Sequence, residues 1–406
     1  MDMRENLSWT QARDLLLNLA CPTETENISL DECAGRVLGF DLKAEEDVPP
    51  FDRSAYDGYA FQAEDVKNAG KEAPVTLRIT ETIPAGAAAK LPVEPGTAAH
   101  LMTGAKIPAG ADCVINFERT EFTDETVTLF APVKSGDNIV RRGEDVAKGT
   151  LLAGIGERID AGLAGTLAAQ GIARVRVFRK PVIGLISTGS EVVEADEALT
   201  EGKIRNSNRA AFTALLQSEG CKVRYLGLAG DEVNCISQLI AEGISTCDAV
   251  ILTGGVSVGD WDVTPAAMEQ AGAEILARGV DMKPGMACAY GIAGHKLILG
   301  LSGNPASSLT NFCACVLPAV RKLCGKSQPL PRPIRAELKN GFRKKSPTTR
   351  ILRGWLELID GKVAFDAPMD QGNVVLSSTI GCHAFLLIPA GSGPIEAGQA
   401  LDGFML

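Results

Sequence analysis

Between residues 180 and 325 short apolar runs alternate with helix-length amphipathic stretches, and that rhythm restricts the fold more than any other feature of the sequence. The runs at 182–186, 222–228, 249–252 and 296–299 read as strands. Helices are expected at 209–219, stopped by Gly220, at 233–242, from a start marked by Thr264-Pro265, and at 305–323. Strands and helices in this order specify a parallel sheet covered on both faces, a doubly wound α/β domain.

The flanks follow other rules. Residues 8–20 read as a helix capped by Ser8, with Trp9, Ala12, Leu16 and Leu19 on one face. From 75 to 140, β-prone runs at 75–80, 113–117 and 126–130 are separated by Pro- and Gly-bearing turns, as in a small β-rich domain. Asp160 caps a helix at about 161–170, closed by Gly171. Pro329, Pro331 and Pro333 mark a linker, and the remainder reads as short strands with Gly turns, a small barrel or sandwich.

Composition narrows the function classes. Of the 406 residues, 45% are hydrophobic and 22% charged, which excludes disorder as the main state. Forty Lys and Arg against 50 Asp and Glu leave a net charge of -10, so neither nucleic acid nor an anionic membrane is expected as the main partner. No apolar run approaches the ~20 residues a membrane helix needs. The polar, mixed-charge opening residues lack the apolar core of a signal segment, and a cytoplasmic location is expected. Eleven scattered cysteines without a Cys-x-x-Cys read as small buried thiols, not as a zinc or iron–sulfur site. Three distant histidines argue against imidazole-centred catalysis.

In a doubly wound sheet the ligand sits at the carboxyl ends of the strands. Four of the expected strands end in glycine- and hydroxyl-bearing loops. They are Ser187-Thr188-Gly189-Ser190-Glu191, Gly230-Asp231, a loop holding Gly254, Gly255, Ser257, Asp260 and Asp262, and Ser302-Gly303-Asn304-Pro305. Glycines let backbone N–H groups approach a ligand and hydroxyls donate to phosphate. Glu191, Asp231 and Asp262 stand at the same edge, and carboxylates beside a phosphate cradle require a bridging cation, for which Mg²⁺ is the natural choice. The expected ligand is therefore a phosphate ester or anhydride. The chain has no Walker A pattern and no dinucleotide fingerprint after the first strand of this domain, so a P-loop NTPase or a dehydrogenase is disfavoured.

Two further segments are dense in polar groups: PPFDRSAYDGYA at 49–60 and NIVRRGED at 138–145. Arg141 and Arg142 read either as members of a solvated ion pair or as planar forks clamping an anion. Lys283, in Lys283-Pro284-Gly285, reads as an exposed turn lysine or as a point charge for an oxyanion.

With STGSE at 187–191, NSNR at 206–209, GGVSVGDWD at 254–262, KPG at 283–285 and GLSGNP at 300–305, these motifs make the chain resemble the molybdopterin molybdenumtransferase (MoeA / gephyrin E-domain) family over nearly its whole length. The resemblance implies an enzyme of molybdenum cofactor biosynthesis. Its substrates would be adenylylated molybdopterin and molybdate, with Mg²⁺ and release of AMP. It implies an α/β multidomain fold: an extended N-terminal domain from 1–50 and 139–178, an inserted β-rich domain at 51–138, a molybdopterin-binding-like doubly wound domain at 179–326 and a C-terminal β-barrel at 327–406. A homodimer with a shared active site is implied, with transient contacts to cofactor-synthesis or molybdoenzyme partners. Asp57 and Asp145 would be acids supplied across the dimer, and Glu191, Asp231 and Asp262 the catalytic and Mg²⁺ side. Lys283 and the turn Ser302, Gly303, Asn304 and Pro305 would face the molybdate or phosphate end. Arg353 and Ser377 or Ser378 would add anion contacts.

The chain departs from the family pattern at Tyr56, Gly279, Ala287, Ser302 and Asn373. Most of these fall at the implied molybdate end. The alternatives they raise are a non-catalytic binding scaffold and an insertase for another oxyanion such as tungstate.

Overall fold

The computed structural model describes residues 4–256, 263–359, 361–368 and 370–406. Its largest element is a seven-stranded sheet in the order Arg4–Ser8, Glu274–Asp281, Cys288–Ala293, Lys296–Leu301, Ala249–Thr253, Val182–Thr188 and Lys222–Ala229. All five residues of Ala249–Thr253 are buried, as a central strand covered on both faces requires. One face holds the helices α1 (Trp9–Leu19) and α3 (Ser207–Ser218), with Leu16, Phe212 and Leu216 in one core. The other holds α4 (Val233–Thr246) and α5 (Val263–Gln270), through Ile236, Ile240 and Met268. The remaining short helix of the N-terminal half, α2 (Ala161–Ala169), is capped by the Asp160 side chain.

Two expectations for this domain need correction. The sheet is mixed, because Cys288–Ala293 runs antiparallel to both neighbours. The cause is local: only Gly294 and His295 separate Ala293 from its partner Lys296, and a two-residue turn makes a hairpin, never a parallel crossover. Residues 4–19, expected in the N-terminal domain, belong instead to the sheet and its core. Arg4–Ser8 pairs in parallel with Glu274–Asp281, and a reciprocal Ser8–Gln11 capping box starts α1 immediately after it.

The helix expected at 305–323 is a rod in three parts: α6 (Pro305–Asn311), a π-helical turn Phe312–Val316, and α7 (Leu317–Leu323). Pro318 explains the interruption. Proline has no N–H to donate and its ring crowds the carbonyl four residues back, and widening the helix just before it relieves both. The C-terminal ends of α3 and α7 are tied by Glu219, whose carboxylate accepts from Arg321 Nε at 3.0 Å, Arg321 Nη2 at 2.8 Å and Lys326 Nζ at 2.5 Å.

Thr25–Ser29 pairs with Arg174–Phe178, and Leu42–Lys43 with Leu151–Ala153, so two distant stretches build one small core around Leu38, Ile159 and Val177. Between them a six-stranded sheet is built from strands lying between Gly58 and Leu129. A closed five-stranded barrel runs from Arg332 to Met405. Of the cysteines, Cys21 and Cys235 are exposed, contrary to the expectation of burial. No helix among the described residues is long and apolar enough to cross a membrane.

Arg353, expected to contact an anion, is only 1% exposed in the barrel wall. Its guanidinium donates to Ser378 Oγ at 2.7 and 3.0 Å, to the Gly372 carbonyl at 2.8 Å and to the Gln371 carbonyl at 3.4 Å. It fastens the 371–378 loop to the barrel. Each of these acceptors left unsatisfied costs about 1–3 kcal/mol, so Arg353→Leu is expected to lower unfolding free energy by about 2–4 kcal/mol in urea titration.

Glu219 yields a second prediction. Burial raises its carboxyl pKa, but the bonds from Arg321 and Lys326 outweigh burial and hold it below the ordinary glutamate value. A depressed folded pKa gives stability that is fully present above the unfolded value and is lost as pH falls through the folded one. Glu219→Gln is therefore expected to cost about 1–3 kcal/mol at neutral pH, between a surface and a fully buried pair. The gap between parent and variant should close as pH falls below about 4, measured by thermal unfolding across pH.

Candidate functional site

From Val182–Thr188 the chain moves outward to Lys222–Ala229, then returns past it to Ala249–Thr253 on the other side. This reversal leaves a crevice beyond the carboxyl ends of the two central strands. A cavity of about 640 Å³ occupies it, lined by Ser187, Thr188, Gly189, Glu191, Asp231, Gly254, Gly255, Ser302, Gly303, Asn304 and Pro305, among others. All four loops expected to converge at the strand ends contribute to it, two through glycines and hydroxyls, one through Gly254 and Gly255, and the fourth through Asp231. Ser257 and Asp262 lie outside the described residues.

A second cavity of about 570 Å³ is lined by Lys283, Arg278, Gly279, Glu5 and Asn6, and shares Val256, Ala287, Ser302 and Asn304 with the first. The two are the ends of one groove. Lys283 is held by its backbone to the barrel: its N–H donates to Thr349 O at 2.8 Å and its carbonyl accepts from Ile351 at 2.9 Å. Asn373 also comes from the barrel, and its carbonyl accepts the Ser307 N–H at 3.1 Å. Gly279, Ala287, Ser302 and Asn373, four of the positions that depart from the family pattern, all line this end.

The glycine loop is pressed against the strand end. Gly254 has φ +108°, and a Cβ there would meet Thr188 Oγ1 at 2.4 Å and Thr188 O at 2.5 Å. Thr264 lies inside α5 and does not cap it; its hydroxyl donates to Gly254 O at 3.0 Å and fastens the loop.

On the acidic side, Asp231 Oδ2 accepts the Ser190 N–H at 3.0 Å and is 2.8 Å from Ser190 Oγ, its hydrogen-bond donor. Among the described residues no three acidic, histidine or cysteine side chains cluster tightly enough to hold a metal. Glu191 and Asp231 nonetheless line one cavity, and one or two hard carboxylates with ligand phosphate oxygens are the donor set Mg²⁺ takes. The residues present fit that ion.

Asp57, Arg141, Arg142 and Asp145 line neither end of the groove in this chain. Their two motifs are instead zipped together: Ile139 and Val140 pair with Ser54 and Arg53. Arg141 Nη1 bonds Asp52 Oδ2 at 2.7 Å, and Arg142 Nε bonds Asp47 Oδ2 at 2.6 Å. Each of these forks gives one nitrogen to an acid and leaves the rest of its guanidinium exposed. Asp52 is held below the usual carboxylate range first by the Arg142 amide and then by Arg141, and Asp47 first by the Lys148 amide and then by Arg142. Asp57 accepts from the Thr103 hydroxyl at 2.7 Å and from its amide, which hold its pKa down. Ser377 sits in the Leu376–Thr379 turn and lines neither end; its neighbour Ser378 binds Arg353.

A network behind the cavity joins Ser187 and the NSNR motif to two residues that the sequence did not single out, Tyr225 and Glu194. Asn206 caps α3 and bonds Ser187 Oγ at 3.0 Å; Tyr225 donates to Glu194 at 2.6 Å; Arg209 bonds Glu194 at 2.7 Å and stacks 3.9 Å over the Tyr225 ring. Burial and then the Glu194 bond push the Tyr225 hydroxyl up to about 12. The 222–228 run announces the strand that carries Tyr225, but nothing local announces its bond to Glu194, 31 positions away.

Comparison with known proteins agrees along the chain. Residues 7–171 match the MoeA N-terminal region (domain I and II), 184–322 the probable molybdopterin binding domain, and 335–402 the MoeA C-terminal region (domain IV). A molybdopterin molybdenumtransferase of Bacillus subtilis is 37% identical over 388 residues, covering 94% of this chain and 90% of its own. One of Staphylococcus epidermidis is 34% identical over 403 residues, covering 99% and 96%. The crystal structure of a molybdopterin biosynthesis MoeA protein from Pyrococcus horikoshii superposes with a TM-score of 0.84 at 30% identity, covering 99% of this chain and 100% of that one. With a groove of this kind at the strand ends and likeness over nearly its full length, the chain belongs to the molybdopterin molybdenumtransferase (MoeA) family.

Proposed function

We propose that this protein inserts molybdenum from molybdate into adenylylated molybdopterin and releases AMP, with Mg²⁺ and as a homodimer. The observation that supports this best is the single groove whose one end combines glycine loops, hydroxyls and two carboxylates while the other holds Lys283. The loops at Gly255 and Gly303 suit the phosphates, whereas the Gly254 N–H is given to Leu301 O at 2.9 Å and the Ser187 and Thr188 hydroxyls to Asn206 and Thr253. Lys283, with its point charge, suits the tetrahedral molybdate anion. Glu191 and Asp231 would hold Mg²⁺, which neutralises phosphate charge and makes the adenylyl group easier to displace. Water attacks one phosphorus of the P–O–P anhydride and the P–O bond to the bridging oxygen breaks, so AMP leaves with one phosphate and molybdopterin, keeping the other, stays between the cradle and Lys283. Asp57 and Asp145 reach a groove only if a second copy supplies them, and dimerisation serves that purpose.

The test is anaerobic AMP release from adenylylated molybdopterin with Mg²⁺ and molybdate. Asp231→Asn and Asp57→Asn are each expected to lower turnover at least about 100-fold. Mixing the two dissociated and reassociated variants should restore roughly a quarter of parental activity, because half the dimers then hold one intact site. Normal turnover of either variant, or no recovery on mixing, counts against these roles.

The glycine loop gives an independent check. A Cβ at Gly254 displaces the cradle from Thr188, and misplacement of about 1 Å costs on the order of 100-fold. Gly254→Ala is expected to lose that much in kcat/KM per folded protein, and also to lower the melting temperature, because an alanine at φ +108° is strained and its Cβ overlaps the Thr188 backbone.

A second reading is favoured by one observation: the positions that depart from the family pattern converge on the Lys283 end. That end sets oxyanion choice, so tungstate competes with molybdate. Equal concentrations of the two in the AMP-release assay decide it, with metal analysis of the product.

A further inference from the structure

Asn208 stands in the first turn of α3, is 8% exposed, and lines the strand-end cavity. Its Nδ2 donates to the Gly303 carbonyl at 2.9 Å. That bond settles which way the amide faces, since a flipped amide would set oxygen against oxygen. Its Oδ1 is then a buried acceptor, and among the described residues it is the one buried side-chain nitrogen or oxygen without a hydrogen-bond partner. Buried polar atoms are paired in nearly all native proteins, so an orphan in a ligand cavity points to the ligand.

The neighbouring groups are already engaged. Asn206 Oδ1 accepts from Arg209 N at 3.1 Å, Thr188 Oγ1 donates to Thr253 O at 3.4 Å, and Ser302 Oγ accepts from Asn304 N at 3.2 Å. A carbonyl oxygen repels phosphate and molybdate oxygens, so Asn208 does not serve the anionic parts of a ligand. It fits a neutral donor, an O–H or N–H.

We propose that Asn208 Oδ1 accepts a hydrogen bond from a hydroxyl or N–H of adenylylated molybdopterin and thereby sets specificity on the α3 side of the groove. This rests on the function proposed above. Two parts of that substrate carry such donors, the nucleoside and the pterin. A site built to accept a donor discriminates strongly against analogues that lack it, because the buried acceptor is then left unpaired.

The test is equilibrium binding to parent, Asn208→Ala and Asn208→Asp proteins. The probes are adenylylated molybdopterin without molybdate, molybdopterin, AMP, 2′-deoxy-AMP, 3′-deoxy-AMP and inosine monophosphate. Asn208→Ala is expected to bind the full substrate at least about tenfold more weakly than the parent. If the donor is on the nucleoside, AMP suffers the same loss and one of its three analogues escapes it. If the donor is on the pterin, molybdopterin suffers the loss and AMP does not. Asn208→Asp keeps an acceptor in place but sets a charged oxygen against the Gly303 carbonyl and the anionic probes, so it should weaken them all while retaining their parental ranking; that ranking, not the overall affinity, decides the matter if the alanine protein does not fold. In the alanine protein, equal loss for every probe means that Asn208 only braces Gly303, and loss for none means that it reads nothing; either overturns the proposal. A parent protein that binds neither adenylylated molybdopterin nor AMP overturns the proposed function together with it, whereas binding by the parent that is insensitive to Asn208 overturns this inference alone.

Discussion

The reversal of strand order between Val182–Thr188 and Ala249–Thr253 is the constraint on which the groove depends. Loops leaving these two strands diverge to opposite sides, so nothing in the sheet itself fills the space beyond their ends. The space is then shaped by contact at van der Waals range, with Gly254 laid on Thr188 and held there by the Thr264 hydroxyl. Phosphate-sized ligands need backbone amides at such close range, and only a residue without a side chain permits it at a positive φ. Asp231 and Glu191 gain their meaning from the same gap, because the adjacent strands end at one level.

Around this centre, polar groups divide into those satisfied within the chain and those facing the groove. Arg353 belongs to the first kind: its Nε, Nη1 and Nη2 all donate to the loop that carries Asn373 to the Lys283 end. Arg141 and Arg142 each give one nitrogen to Asp52 and Asp47, and that pairing shapes the turn that presents Asp145. Lys283 and Asn208 are of the second kind. Such a division is what pre-organisation consists of, since a side chain already anchored costs little to hold in place when a ligand arrives.

The parts of this arrangement legible in the sequence are those with a local cause. Ser8 and Gln11 announce α1 three residues apart, and the continuous apolar run at 249–252 announces a buried strand. The strand-end loops stand out because glycine and hydroxyls are conspicuous beside such runs. What is not legible depends on partners far along the chain. Arg4–Ser8 is a polar edge strand with no pattern of its own, and Glu274–Asp281 is broken by Arg278 and Gly279. Arg142 has acids beside it in sequence, yet its side chain chooses Asp47, 95 positions away. Asn208 is ordinary in a helix until Gly303, also 95 positions away, takes its amide. Charge pairing and amide orientation are tertiary facts, and no window of neighbouring residues contains them.

The pairing of Arg4 with Ala277 bears on the order of events during synthesis. Arg4–Ser8 and α1 are made before their sheet partner, which follows more than two hundred residues later, and α1 packs beside Phe404, whose ring lies 6.1 Å from that of Trp9. At about 5–20 residues per second, the apolar face of α1 waits on the order of tens of seconds for its cover. The inserted β domain and its small neighbour have their partners in hand by then. The apolar face of α1 therefore stays uncovered until the strand that carries Phe404 has been made.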